Sequence, residues 1–406
     1  MTVSEGHGPV VGFVGGGQLA RMCAMAAAPM GIRVMVLAAS SDEGTSEVTP
    51  NVIIGDADDP VALRAFAEQV DVLTIDHENV DHSTFADLEA AGVAVRPGVG
   101  ALRFSDKAYQ RVEFAAAGLP VPDFVVVDAG AADTAAVINE FAQRHGGRVV
   151  LKASRGGYDG RGVWILDAAD VPGFLAGYEG APLVVEPLLP LDREVAVLVA
   201  RRPSGEIAVW PVVETVQVDG MCDEVLAGGN AGGTVLDPDL EAEALRVGAK
   251  VAEVTGIVGV LAIELFVVNG SVVINEIAPR VHNSGHLTIE GSETSQFEQH
   301  LRAIVDWPLG PTALMAPFVV MRNVVGGAAG DPRDRQAAAF SMVPEAHIHL
   351  YGKTSRPARK VGHVTVLGDD LEQCRERAQL AADLLAGDRF ADAMEDSHDN
   401  REQSNE

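Results

Sequence analysis

Between Val10 and Ile75 short apolar runs alternate with helical stretches, and this alternation limits the fold more than any other feature of the chain. An apolar strand from Val10 leads into a turn of three glycines, Gly15, Gly16 and Gly17, and then into an alanine-rich helical stretch reaching Ala28. Strands predicted at Arg33 to Leu37, Val52 to Ile54 and Val72 to Ile75, with a helix near Val61 to Gln69, continue the pattern. Such βα alternation specifies a doubly wound, mainly parallel sheet, whose ligands bind beyond the carboxyl ends of its strands. The polar run Asp76, His77, Glu78, Asn79 lies at such an end and is a candidate site edge.

The texture changes after Arg103. A helix ending at Gly118, prolines 120 and 122, a helix near Ala135 to His145 and a strand at Val149 to Lys152 mark a new unit. From Leu183 short strands alternate with glycine turns, interrupted by helices at Leu240 to Val254 and Ser295 to Ile304, which reads as an α+β body. The segment from Asp331 to Leu367 reads as strand-rich and is followed by a helix from Leu371 to Leu385. The division expected is 1–103, 104–190, 191–330 and 331–387, with an acidic tail, 388–406, too poor in large apolar residues to order itself. A chain of 406 residues, 47% of them hydrophobic, can bury several cores.

A formal charge of −28 repels polyanions, which argues against a nucleic-acid partner and requires any phosphate site to be a local basic pocket. Three cysteines without metal-ligand spacing point to a reducing compartment. With no signal peptide and no apolar run approaching the roughly 20 residues of a membrane helix, a cytoplasmic protein without membrane attachment is expected.

Four constellations could carry chemistry. From Lys152 to Gly162, four glycines and three cations share eleven positions after a strand. Glycine lets backbone N–H groups close on an anion and the cations neutralise it, although a hairpin with solvated charges has the same composition. The second is a hairpin joining Val260 to Val268 with Val272 to Ile277. A three-residue connection through Asn269, Gly270 and Ser271 would set Glu264 directly opposite Glu276, whereas a two-residue turn would separate them. Two facing carboxylates among apolar neighbours need a cation, and oxygen ligands beside a nucleotide imply magnesium; a solvated sheet face is the plain alternative. Third comes the donor-rich run Arg280, Val281, His282, Asn283, Ser284, Gly285, His286, suited to a phosphoryl group or its anionic product. Fourth, Lys353, Arg356, Arg359 and Lys360 place four cations in eight positions, enough for a phosphomonoester or simply a solvated charge run. Gly15, Gly17 and Ala20 only loosely fit a dinucleotide fingerprint; the turn there either holds a substrate phosphate or shapes the strand-to-helix junction.

Taken in order, Gly15 to Met22, Gly156 to Gly162, Asn275 to His286 with Gln296 and Phe297, and Arg356 to His363 resemble the ATP-grasp superfamily, and within it the carboxyaminoimidazole ribonucleotide synthases of purine synthesis. The resemblance implies a Rossmann-like N-terminal domain, a lid and an ATP-grasp body that clamp ATP between two antiparallel sheets, and a small β-rich C-terminal domain. It also implies an ATP- and magnesium-dependent ligase that carboxylates the exocyclic amine of aminoimidazole ribonucleotide with bicarbonate, commonly as a homodimer. Carried over by position, Arg103, Lys152 and the loop Gly157, Tyr158, Asp159, Gly160, Arg161, Gly162 would hold the ATP phosphates or base. Glu186, Pro187, Leu188 and Leu189 would line the adenine pocket, with Glu194 on the ribose and Gln217 and Asn275 also at the nucleotide. Glu264 and Glu276 would be the metal pair, and Arg280, His282 and Asn283 the catalytic residues. Ser284, Gly17, Gln18, Leu19, Glu78, Tyr158, Asp159, Arg161, Lys353, Arg356, Arg359 and Lys360 would receive the ribonucleotide. Gln217, Asp76 and Ala358 depart from the family's usual histidine, glutamate and glycine. The rival readings are an ATP-grasp formyltransferase using formate, a dinucleotide-dependent oxidoreductase resting on the first glycine turn alone, and a non-catalytic nucleotide sensor.

Overall fold

In the computed structural model, residues 8–157, 160–229, 236–327 and 329–387 are described, so Tyr158, Asp159 and the acidic tail lie outside the described residues. The first sheet contains β1 (Val10–Val14), β2 (Arg33–Ala38), β3 (Val52–Ile54) and β4 (Val72–Ile75), all parallel in the order β3-β2-β1-β4. Every residue of β1 and β4 is buried, as expected of central strands covered on both faces.

A second sheet holds β5 (Val125–Val127), β6 (Arg148–Ala153), β7 (Val163–Asp167) and β8 (Leu183–Pro187), antiparallel in the order β5-β8-β6-β7. The helix Thr134–Arg144 packs Ile138, Phe141 and Ala142 against one face.

The third sheet is larger. Its strands are β9 (Arg193–Arg201), β10 (Ile207–Val209), β11 (Val213–Val218), β12 (Met221–Gly228), β13 (Gly259–Val268), β14 (Ser271–Ala278), β15 (Phe318–Val325), β16 (His347–Leu350) and β17 (Lys360–Gly368). They run β14-β13-β9-β11-β12-β15-β17-β16, with β10 beside β9, and every pairing is antiparallel. The strands of the C-terminal region therefore continue the sheet of the body. The helix Pro238–Thr255 covers one face of β9 and β13; the helix Gln296–Ile304 lies in a core shared with β1, β2 and the helix Gln18–Ala27. His300 ties these bodies together: its Nδ1 accepts from the Val260 N–H at 3.1 Å, and its Nε2 sits 3.1 Å from Thr74 Oγ1 on β4.

The segment beginning at Asp331 departs from the strand-rich expectation. Asp331 accepts from the Arg333 N–H, Pro332 occupies the first turn, and the alanine-rich run that follows forms the helix Gln336–Met342. A capping aspartate followed by proline favours helix over strand, and strands begin only at His347.

Candidate active site

The centre of the site is the β13–β14 hairpin, whose register corrects the expectation in one respect. The connection is the two-residue turn Asn269–Gly270, with φ of 50° and 75°, the doubly left-handed geometry that matches strand twist. Near the turn Leu265 pairs with Ile274, a register that would put Glu264 opposite Asn275. A β-bulge between Glu264 and Leu265 inserts Asn275 as an extra residue and restores the pairing of Glu264 with Glu276. The two carboxylates thus face one another because of the bulge, not the turn.

Burial, then the charges of Glu276 and Glu194, push the Glu264 carboxyl up to about 8. Burial acts the same way on Glu276, but Lys107, which forms an ion pair with it, and Lys152 outweigh that effect and hold Glu276 below its ordinary value. One partner of the pair therefore ionises readily, while the other keeps its proton unless further positive charge offsets its burial. Among the described residues no group of three or more His, Cys, Asp or Glu converges on one point. The pair fits magnesium, which accepts one or two carboxylates and completes its shell with nucleotide phosphates and water.

The bulged Asn275 also takes part in a closed polar ring. Lys152 Nζ lies 2.8 Å from Glu186 Oε2 and donates to Asn275 Oδ1 at 2.8 Å. Arg111 donates from Nε to Glu186 Oε1 at 2.5 Å and from Nη2 to the Asn275 carbonyl at 2.5 Å. Glu186 belongs to β8 and Lys152 to β6, so the ring joins the second sheet to the third at the cleft between them. Two cations hold the Glu186 carboxyl below its usual range despite the opposing effect of burial. At the cleft's far side Gly160 and Gly162 adopt φ of 74° and 76°, and a Cβ on Gly160 would come 3.1 Å from the Gly220 carbonyl in the β11–β12 turn. The glycine loop thus reaches across to the large sheet. Glu194 on β9 is hydrogen-bonded by Gln217 and raised by burial.

The segment after β14 brings Arg280 Nε to 2.9 Å from Glu78 Oε1, and His282 Nε2 to 3.3 Å from Glu264 Oε1. Burial and the cations Arg280 and Lys360 press the His282 pKa down to about 3, so the ring is neutral. Gln296 clamps the backbone here, accepting from the His282 N–H at 2.9 Å and donating to its carbonyl at 2.8 Å. Asn283 and Asn323 exchange two amide hydrogen bonds of 2.8 Å each.

Three family models cover most of the chain: the ribonucleotide synthetase preATP-grasp domain at 9–106, the ATP-grasp domain at 112–297 and the phosphoribosylaminoimidazole carboxylase C-terminal domain at 319–377. The N5-carboxyaminoimidazole ribonucleotide synthase of Mycobacterium tuberculosis is 46% identical over 395 residues, 95% of this chain and 90% of that one. The chain belongs to the N5-carboxyaminoimidazole ribonucleotide synthase family. The synthase of Corynebacterium ammoniagenes is 40% identical, over 95% of this chain and 94% of its own. Among solved structures, the Aspergillus clavatus enzyme in complex with ADP and 5-aminoimidazole ribonucleotide superimposes with a TM-score of 0.83 at 30% identity, covering 93% of this chain and 99% of that one. The Thermus thermophilus synthetase gives 0.81 at 34% identity, over 92% of this chain and 98% of its own.

Set against this family, the residues singled out in the sequence divide clearly. Lys152, Glu186, Glu194, Gln217, Asn275, Glu264 and Glu276 line one cleft, with Arg280, His282 and Ser284 at its edge. Arg103 is exposed, with its guanidinium 4.3 Å from the ring of Tyr109 on the helix that follows. Asp106 caps a new helix, Lys107–Ala116, and it is Lys107 that enters the site. Leu19 is buried in the core, so only its backbone can meet a ligand. Asp76 accepts from the Ala20 N–H at 2.7 Å, and Glu43 accepts from the Gly16 N–H at 2.7 Å, so carboxylates occupy donors that a dinucleotide pyrophosphate would need. Of the C-terminal cations, Lys353 contacts Gln18 at that turn, and Lys360 is close enough to act on Glu264 and His282. Arg356 is exposed, and Arg359 donates to the Thr354 carbonyl at 3.1 Å. Lys107, Arg111 and Asn323 have no role in the sequence reading, and Gln296 enters it only among the residues that carry the resemblance. The only signal for the first two was a capping aspartate followed by cations four residues apart on a helix; their partners lie far away in sequence.

Proposed function

We propose that the protein uses ATP and bicarbonate to carboxylate the exocyclic amine of 5-aminoimidazole ribonucleotide, releasing N5-carboxyaminoimidazole ribonucleotide, ADP and phosphate. The observation that carries this reading is the facing pair Glu264 and Glu276, set between two antiparallel sheets and flanked by Lys107, Lys152 and the Arg280–Ser284 segment. ATP lies between the sheets, its phosphates toward Lys107, Lys152 and the glycine loop, its base against Glu186 to Leu189 and its ribose on Glu194. Glu264 and Glu276 would hold magnesium, which would supply charge neutralisation at the phosphates.

Bicarbonate oxygen attacks the γ-phosphoryl group to give carboxyphosphate, and the amine of the ribonucleotide then attacks its carbonyl carbon, expelling phosphate and losing a proton. The chain's task is positioning and water exclusion, since carboxyphosphate decomposes in water. Arg280, held by Glu78, faces the anionic intermediate, His282 and Asn283 orient the amine, and Ser284 keeps the His282 ring in place at 2.9 Å. Gln18, Lys353 and Lys360 receive the ribonucleotide, with Arg356 and Arg359 available at the rim. A cytoplasmic homodimer is the working form in this reading, and the three free cysteines suit a reducing compartment. The test is ADP release from purified protein with magnesium-ATP and bicarbonate, with and without the ribonucleotide. Release that depends on the ribonucleotide supports the reading; release indifferent to it overturns the acceptor.

A further inference from the structure

Arg111 is among the least exposed charged residues of the described chain, and the reaction proposed above gives it no task. Its side chain is 2% exposed and belongs to the helix Lys107–Ala116, outside both sheets that enclose the cleft. A buried guanidinium is costly unless its donors are satisfied, and here three are: Nε on Glu186, Nη2 on the Asn275 carbonyl and Nη1 on Gln110 Oε1 at 3.3 Å. The first two contacts matter most because they end on different sheets. Glu186 is at the carboxyl end of β8 in the second sheet, and Asn275 is the bulged residue of β14 in the third. Lys152 bridges the same two residues from the other side, donating to the Asn275 amide oxygen and pairing with the second Glu186 oxygen. The four residues form a closed circuit, in which Lys152 meets the side chain of Asn275 and Arg111 its main-chain carbonyl.

We propose that Arg111 is a positioning residue that aims Lys152 at the nucleotide phosphates and fixes the separation of the two sheets at the cleft. The proposal rests on the ATP reading of the site. The planar fork of arginine can hold the carboxylate of one sheet and the carbonyl of the other at once, which an ammonium cannot do at the same reach. With Arg111 in place, Glu186 presents one oxygen to Lys152 in a fixed direction, and the carbonyl of the bulge is tied at the residue before Glu276. Without it, Glu186 rotates toward the remaining cation and draws the Lys152 ammonium back from the cleft. The loss falls on nucleotide binding, while the ribonucleotide side of the site, built from Gln18, Lys353 and Lys360, is untouched.

The test compares Arg111→Met and Arg111→Lys with the wild-type chain in steady-state kinetics and in equilibrium titration with ADP at fixed magnesium. For Arg111→Met the KM for ATP and the Kd for ADP rise about ten-fold or more, while the KM for aminoimidazole ribonucleotide stays within about two-fold. Arg111→Lys keeps the charge and one of the two contacts, and its loss is intermediate, about three-fold. A melting temperature that falls while nucleotide affinity stays within about two-fold of wild type would overturn the proposal by reducing Arg111 to a fold residue. If the methionine variant does not fold, the lysine variant decides alone, and wild-type affinity in it has the same overturning force. ADP titration does not require turnover, so a wild-type chain that binds ADP without carboxylating the ribonucleotide would fail the functional reading and leave Arg111 still under test.

Discussion

At the scale of single residues, charge and backbone conformation give separate predictions. Glu276→Gln keeps the shape of the hairpin but removes the one carboxylate of the pair that ionises easily. Turnover should fall by at least ~100-fold, with the strand and helix signal in circular dichroism retained; full turnover in this variant would remove Glu276 from the metal site. Ala358, where the sequence departs from the glycine its resemblance implies, stands at φ 58°, in the left-handed region. The strain of roughly 1–2 kcal/mol exceeds the roughly 0.4–1 kcal/mol of chain entropy that glycine would cost, so Ala358→Gly should stabilise the protein by about 0.5 kcal/mol in urea unfolding. That departure was visible in the sequence, but its conformational cost was not, because φ at a loop residue depends on the strand that follows. In the same way Lys152, Glu264 and Glu276 were legible from neighbouring residue types, while Arg111 and Asn323 were not, since their partners are brought to them only by the fold.

Elements were legible where periodicity was strong: the parallel strands of the first sheet, the helix Pro238–Thr255 and the hairpin all fall within a few residues of expectation. What the pattern could not show was the bulge. Apolar alternation reports which face a residue occupies, and an inserted residue shifts that face without leaving a compositional mark. Deletion of Asn275 therefore makes a sharp experiment. Leu265 pairs with Ile274, so the shortened hairpin should close with a single register that still sets Glu276 opposite Glu264 and keep its strand signal in circular dichroism, but Lys152 loses the Asn275 amide oxygen it donates to, and ADP affinity should fall. Wild-type ADP affinity would mean that the contacts of the bulged residue do not position the site. The helix after Asp331 has the opposite lesson: its capping aspartate and first-turn proline are local signals present in the sequence itself.

For the molecule as a whole, buried histidines set the response to acid. Burial depresses His300 to about 4 and His282 to about 3, and drives His286 and His363 well below their usual value. In the unfolded chain all four gain protons near pH 6.5, so the unfolded state binds more protons below that pH and stability falls, each group contributing up to about 1.4 kcal/mol per pH unit. Glu264, raised to about 8, acts in the opposite sense: the metal-free folded state keeps its proton between its ordinary value and 8, so this one group adds stability as pH falls through 8. Four groups against one place the stability maximum of the metal-free protein near roughly pH 6.5–7, and denaturant midpoints that rise steadily toward acid across about pH 5 to 8.5 would refute it. The order of domains was legible because each carries its own periodicity. The joining of body and C-terminal strands was not, because pairing between strands distant in sequence is written in no local pattern. Since β15 and β17 extend the sheet that carries Glu264 and Glu276, the C-terminal region is not an appendage that could be trimmed or exchanged as a module. Cutting it away would strip one side of an eight-residue strand of its backbone partners, leaving a sticky flank that invites self-association in the same sheet on which the chemistry depends.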